Sequence, residues 1–152
     1  MKVLITGVAG FIGSNLAQSL IKKDISVVGI DNLSYGVFDQ IPKGVEFYQK
    51  DIRSKDIENL FHGVDYVFHL AAKNSIIDCE NNPKETEDIN VNGTKNVFNI
   101  SLKNNIKKVI YAESSAVYEG SKILPSSEDD TSPESIYAKS KMKTNYLAKE
   151  YF

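Results

Sequence analysis

One arginine, Arg53, and one cysteine, Cys79, occur among 152 residues, and both scarcities exclude function classes. The 18 basic residues face 20 acidic ones, for a net charge of -2, and the lysines are spread rather than gathered in a stripe. The chain therefore lacks the electrostatic footprint of a nucleic-acid binder. A lone cysteine excludes a disulfide framework and fits a reducing compartment. No apolar run approaches the roughly 20 residues of a membrane helix. No charged n-region precedes an apolar stretch either, because Val3-Leu4-Ile5 runs directly into glycine. The glycosylation sequons at Asn92 and Asn99 are then chance matches, and a cytoplasmic protein is expected. No histidine, cysteine or acidic cluster has metal-ligand spacing, so no metal is expected. Neither His62 nor His69 is placed to partner a serine in a hydrolase triad.

What is present is ordinary in bulk and specific in order. The 41% hydrophobic and 25% charged content suits a soluble globular protein, and the length suits one domain. Apolar runs predict strands at 2–6, 26–31, 45–49, 65–70 and 107–112. Helical spacing predicts helices at 11–23, 83–103 and from about 133 to the end, with a short helix at 54–61 capped by Ser54. Strands alternating with helices imply β-α-β units and a doubly wound, Rossmann-like α/β domain of strand order 3-2-1-4-5. The pattern stops inside its last helix, before the sixth strand such a sheet ordinarily adds.

The first apolar run breaks into Gly7, Gly10 and Gly13 and then launches a helix. Glycines there permit a sharp turn and close ligand approach, and the helix N-terminus aims unpaired N–H groups at a pyrophosphate. The G-x-x-G-x-x-G spacing is weak alone, but strand before and helix after point to a dinucleotide. Asp31 ends the second strand, where a carboxylate can accept both ribose hydroxyls and would repel a 2′-phosphate, which favours NAD over NADP. Tyr137 and Lys141 stand one turn apart on a helix face, so an ammonium can stabilise a phenolate beside it. Ser114 and Ser115 follow the fifth strand, at the sheet edge where such folds place ligands.

These residues belong to a longer series: TGVAGFIG at 6–13, DNLSYG at 31–36, DIR at 51–53, HLAA at 69–72, NVNGT at 90–94, SSAVY at 114–118 and YAKSK at 137–141. With these motifs in order, the chain resembles the N-terminal half of the extended short-chain dehydrogenase/reductases, the NAD-dependent epimerase/dehydratase family. The resemblance implies that Gly7, Gly10, Phe11, Ile12 and Gly13 form the pyrophosphate turn. It implies that Asp31 and Asn32, with Ser34 and Gly36 behind them, hold the adenosine ribose, and that Asp51 and Ile52 meet adenine. Leu70, Ala71 and Ala72 would pass along the cofactor, with Asn90 near it. Ser114, Tyr137 and Lys141 match the catalytic trio, with Tyr137 and Lys141 also on the cofactor. Aligning on Val117-Tyr118 selects Ser114, and a register shifted by one would select Ser115.

Ser115 and Ala116 stand where the family's dehydratases usually carry a carboxylate. The resemblance therefore favours the UDP-glucose 4-epimerase-like branch, acting on a UDP-sugar that a C-terminal half would help to hold. It also implies a homodimer through helices 83–103 and 133–152. Two departures stand out: Glu119 replaces the glycine that follows the V-Y pair, and Ile136 replaces a frequent proline before the tyrosine. Family members run to roughly twice this length, so the substrate domain is expected to be absent. A truncated, inactive NAD-binding fragment or a dinucleotide-sensing protein is the alternative expectation.

Overall fold

Val3, Leu4 and Ile5 are all but inaccessible, at 2%, 0% and 0% exposure. A strand paired on both edges and covered on both faces has no solvent side on which to carry polar residues. In the computed structural model, which describes residues 1–151, β1 (Lys2–Thr6) pairs in parallel with β2 (Ser26–Asp31) and with β4 (Tyr66–His69). β3 (Val45–Gln49) extends the sheet beyond β2, and β5 (Lys108–Tyr111) extends it beyond β4. The order β3-β2-β1-β4-β5 is the one expected from the sequence. α1 (Phe11–Ile21) buries Ala17 and sets Leu16 and Leu20 against Val3, Ile5, Val8 and Val27.

The chain divides into two compact units. The first, residues 1–72 and 96–112, contains the whole sheet and α1. Within it, Asn96 donates to the carbonyls of Ile52 and Ser54, and Phe98 stacks edge-on against His69 and Tyr111. The second comprises residues 73–95 and those from 113 onward. It holds α2 (Ile76–Asn81), α3 (Pro83–Glu87) and α5 (Ile136–Tyr151), with α5 packed against both shorter helices. α4 (Thr94–Lys103) begins in the second unit and continues in the first.

Four local features differ from the sequence expectation. The helix expected at 83–103 runs without a break but is not α-helical throughout: α3 and α4 flank a π-helical stretch at Asp88–Gly93. α2 was not expected, although Ser75-x-x-Asp78 is a helix-start signature, and the Ser75 hydroxyl accepts the Asp78 N–H. Ser54 makes no side-chain capping bond, and the helix after it, Lys55–Phe61, has 3-10 geometry. The last helix starts at Ile136 rather than near 133, and the Glu119 carboxylate accepts the Glu134 and Ser135 N–H groups just before it.

Candidate functional site

In the first unit, the glycine loop leaves β1 through Gly7, whose φ of 75° is open only to glycine at low cost. Two of the three glycines are explained by the protein's own packing. A Cβ on Gly7 would lie 2.8 Å from the Ala71 nitrogen, and one on Gly13 would lie 2.2 Å from the Gly7 carbonyl oxygen. Gly10 differs: a Cβ there would meet only the Gly7 oxygen, at 3.3 Å. Gly10 is the N-cap of α1, which has no side-chain cap and no acidic residue in its first turn. The loop thus leaves a positive helix end open at the glycine that packing constrains least of the three, a fit for a pyrophosphate. Phe11 and Ile12 border it, 82% and 65% exposed.

Asp31 is brought to this loop by β2. Its carboxylate accepts the Ala9 N–H at 3.0 Å and the Leu33 N–H at 2.8 Å, one on each oxygen, which orients it while leaving lone pairs for hydroxyls. Gly36 approaches so closely that a Cβ would stand 2.6 Å from the Ala9 side chain and 3.0 Å from Asp31 Oδ1. Asn32 accepts the Ser34 N–H and donates to Asp51 at 3.2 Å, so 31–36 and Asp51 form one surface. Asp51 is also clasped by Arg53 through Nε at 2.9 Å and Nη2 at 2.7 Å, which, foremost among its partners, holds its pKa at about 2. Ile52 is buried. Leu70 and Ala71 both donate N–H to the Thr6 hydroxyl at 3.2 Å, which anchors the 70–72 segment to the end of β1. Thr6 was not singled out in the sequence, because a threonine ending a strand carries no signal of its own.

In the second unit, Ser114 caps the 3-10 turn Ser115–Tyr118, its hydroxyl accepting the Ala116 N–H at 3.2 Å. Ser114 is half-buried, whereas Ser115 is exposed. Glu113 accepts the Ser114 N–H at 3.1 Å. Tyr137 and Lys141 lie one turn apart on α5, and Lys141 is only 7% exposed. Burial pulls the Lys141 ammonium pKa down, with the Glu113 charge acting against it. Desolvation pushes the Glu113 carboxyl up, opposed by Lys141 and by the Ser114 N–H. The Tyr137 carbonyl accepts the Ser140 hydroxyl at 2.7 Å, and Ser140 in turn accepts from Asn90 at 2.9 Å. Among the described residues, no group of three or more histidine, cysteine or acidic side chains could hold a metal. No helix among them is long and apolar enough to cross a membrane.

A buried parallel strand, a glycine turn opening an uncapped helix, and an aspartate ending the next strand define a dinucleotide-binding, Rossmann-like protein. Residues 3–152 match the NAD dependent epimerase/dehydratase family, and the chain belongs to it. The UDP-glucose 4-epimerase of Streptomyces lividans is 31% identical over 151 residues, covering 96% of this chain and 46% of that protein. The UDP-N-acetylglucosamine 4-epimerase of Methanobrevibacter ruminantium, solved in complex with UDP-N-acetylmuramic acid, is 34% identical. It superposes with a TM-score of 0.93 over 99% of this chain and 50% of its own. The Thermus thermophilus UDP-glucose 4-epimerase, solved with NAD, is 30% identical with a TM-score of 0.89 over 99% and 52%. The chain thus spans about half the length of the relatives it matches.

Proposed function

We propose that this chain is the NAD-binding half of a UDP-sugar 4-epimerase. The observation that carries the reading is the buried Lys141 one turn beyond Tyr137 on α5, in a chain of the epimerase family. The Gly10 end of α1 would take the pyrophosphate, and Asp31 would take the adenosine ribose and disfavour a 2′-phosphate. When bound, NAD supplies a reversible hydride acceptor for the sugar's C4.

Tyr137 would remove the C4 hydroxyl proton as its phenolate, which the Lys141 ammonium would stabilise. Ser114 holds the reacting oxygen. Tyr137 would give the proton back to the same oxygen once the sugar has turned over in the site. No carboxyl stands at Ser115 or Ala116 to eliminate water, which favours epimerisation over dehydration. The homologous portion beyond this half of the relatives would supply most contacts to the sugar. A homodimer through helices 83–103 and 133–152 and a cytoplasmic location complete the reading.

A second reading, an NAD-binding chain without turnover of its own, is favoured by Arg53. The chain's one guanidinium is folded onto Asp51 rather than offered to a diphosphate. Calorimetric titration with NAD, followed by an assay with UDP-galactose, separates the two. Turnover that Tyr137→Phe abolishes without loss of NAD binding supports the epimerase, and turnover unchanged by that substitution overturns it. NAD binding without any turnover supports the second reading.

A further inference from the structure

The two departures from the family's pattern, Glu119 and Ile136, meet at one place in the structure. The Glu119 carboxylate reaches the entry of α5, where Oε1 accepts the Glu134 N–H at 2.6 Å and also the Ser135 N–H. The Ser135 hydroxyl donates to its other oxygen at 3.3 Å and accepts the Ala138 N–H inside the helix at 3.1 Å. From α2, Glu80 Oε1 accepts the next amide, Ile136 N–H, at 2.7 Å. Three consecutive N–H groups are thus held by two carboxylates. The Ser135 and Ile136 N–H groups are among the donors a helix start leaves unpaired, at the positive end of its dipole. A proline at 136 would have no N–H to offer Glu80.

The segment bearing Glu119 is itself tightly clipped. Ser132 donates its N–H to the Val117 carbonyl at 2.8 Å, and Gly120 donates to the Ser132 carbonyl at 3.0 Å. A Cβ on Gly120 would fall 2.6 Å from Glu134 Oε1 and 2.9 Å from the Ser132 carbonyl oxygen, so the clip closes only over glycine. Ser114 caps the turn at one end of this clip, and Tyr137 is the second residue of the helix at the other. The Ser135 N–H, foremost among several partners, holds the Glu119 carboxyl below its ordinary value, so it is ionised at neutral pH.

We propose that Glu119 is a positioning residue, with Glu80 as its partner, that sets where α5 begins relative to the Ser114 turn and hence where Tyr137 stands. The proposal rests on the reading of Tyr137 as the catalytic base. It assigns to the two departures a joint function, in which carboxylates from two other segments replace the rigidity a proline would bring.

The test uses Glu119→Ala and Glu119→Gln beside Tyr137→Phe, in the full-length protein assayed on UDP-galactose. Glu119→Ala is expected to lower kcat about ten- to a hundredfold, the scale of a small misplacement of a reacting group, with KM and NAD affinity within about twofold. Glu119→Gln keeps a carbonyl acceptor and is expected to recover kcat to within about threefold. Wild-type kcat in Glu119→Ala, where Tyr137→Phe abolishes turnover, overturns the positioning role but leaves the epimerase reading intact. Turnover unchanged in Tyr137→Phe removes the parent reading instead. Amide exchange in the 152-residue chain supplies a readout without activity. Faster exchange at Ser135 in the Ala but not the Gln variant supports the anchor, and unchanged exchange in both overturns it.

Discussion

Asn90 and Lys73 exchange two hydrogen bonds in the interior of the second unit. The Asn90 side-chain oxygen accepts the Lys73 N–H at 2.8 Å, and its amide nitrogen donates to the Lys73 carbonyl at 3.0 Å. The second amide hydrogen goes to Ser140, whose hydroxyl donates to the Tyr137 carbonyl. One asparagine side chain therefore ties the segment after β4 to the backbone of the helix that carries Tyr137. The Lys73 ammonium is buried between Asp78, at 3.1 Å, and Glu85.

Asn90 is 1% exposed, so truncating it leaves buried partners without replacement by water. Asn90→Ala is expected to cost about 2–4 kcal/mol, read from urea unfolding. Asn90→Asp removes both donors and is expected to cost at least as much. A change under about 0.5 kcal/mol for Asn90→Ala would show that the network contributes little.

Thr6 decides how the 70–72 segment is held. Its hydroxyl oxygen accepts two N–H groups, so its own proton points to His69 Nδ1 at 2.7 Å, placing the ring proton on Nε2. Thr6→Val keeps the shape but leaves the Ala71 N–H without this acceptor, at an expected cost of about 1–3 kcal/mol by thermal unfolding. Thr6→Ser should stay close to the parent chain.

The glycines separate by how strongly packing demands each of them. Gly13→Ala forces a Cβ to 2.2 Å from a backbone oxygen and is expected to collapse the thermal transition. Gly10→Ala meets only a 3.3 Å contact and is expected to leave melting within a few degrees while weakening NAD at least tenfold. Calorimetry with NAD and a thermal melt on both variants check this. Equal NAD affinity in Gly10→Ala would remove the anion site from the N-cap of α1.

Asp51 links stability to acid. Chiefly because of the Arg53 side chain, its pKa falls from 3.8 to about 2 in the folded chain. The unfolded chain therefore takes up its proton first as pH drops, so the pair stabilises fully above about pH 4, and that contribution is lost toward pH 2. Solvent screening at this surface limits it to at most about 1 kcal/mol. Arg53→Ala should return the Asp51 titration, followed by carboxyl NMR, toward its ordinary value.

Lys141 and Glu113 lead to a second pH prediction, for the proposed activity. Glu113 supports the Lys141 ammonium against burial, so Glu113→Gln lowers the Lys141 pKa further. If the ammonium stabilises the Tyr137 phenolate, the alkaline limb of the kcat profile should move to lower pH in that variant. An unmoved limb would separate Glu113 from the Tyr137–Lys141 pair.

The legible parts of this protein were those written in short stretches of chain. Val3-Leu4-Ile5, with glycines after it, announces a central strand and a tight turn, and β1, β2 and β3 appear at the bounds read from their apolar runs. Tyr137 and Lys141 could be placed on one helix face from spacing alone. Helix 83–103 was read with its bounds, but the π-helical stretch inside it was not, because its residues are compatible with both α and π geometry. Ser54 was misread as a cap because composition shows which residue could cap a helix, not whether it does.

By itself, the amino-acid order determined the strands, their parallel succession, the glycine turn and the order of the family's motifs. Each depends on side-chain character repeated within a few residues, which local sterics and burial enforce. Only the tertiary structure decided that Arg53 is folded onto Asp51, that Asn90 ties Lys73 to α5, and that Glu80 and Glu119 converge on the start of that helix. Most of these bonds join residues far apart in the chain, and each depends on distances and directions set once the elements have packed.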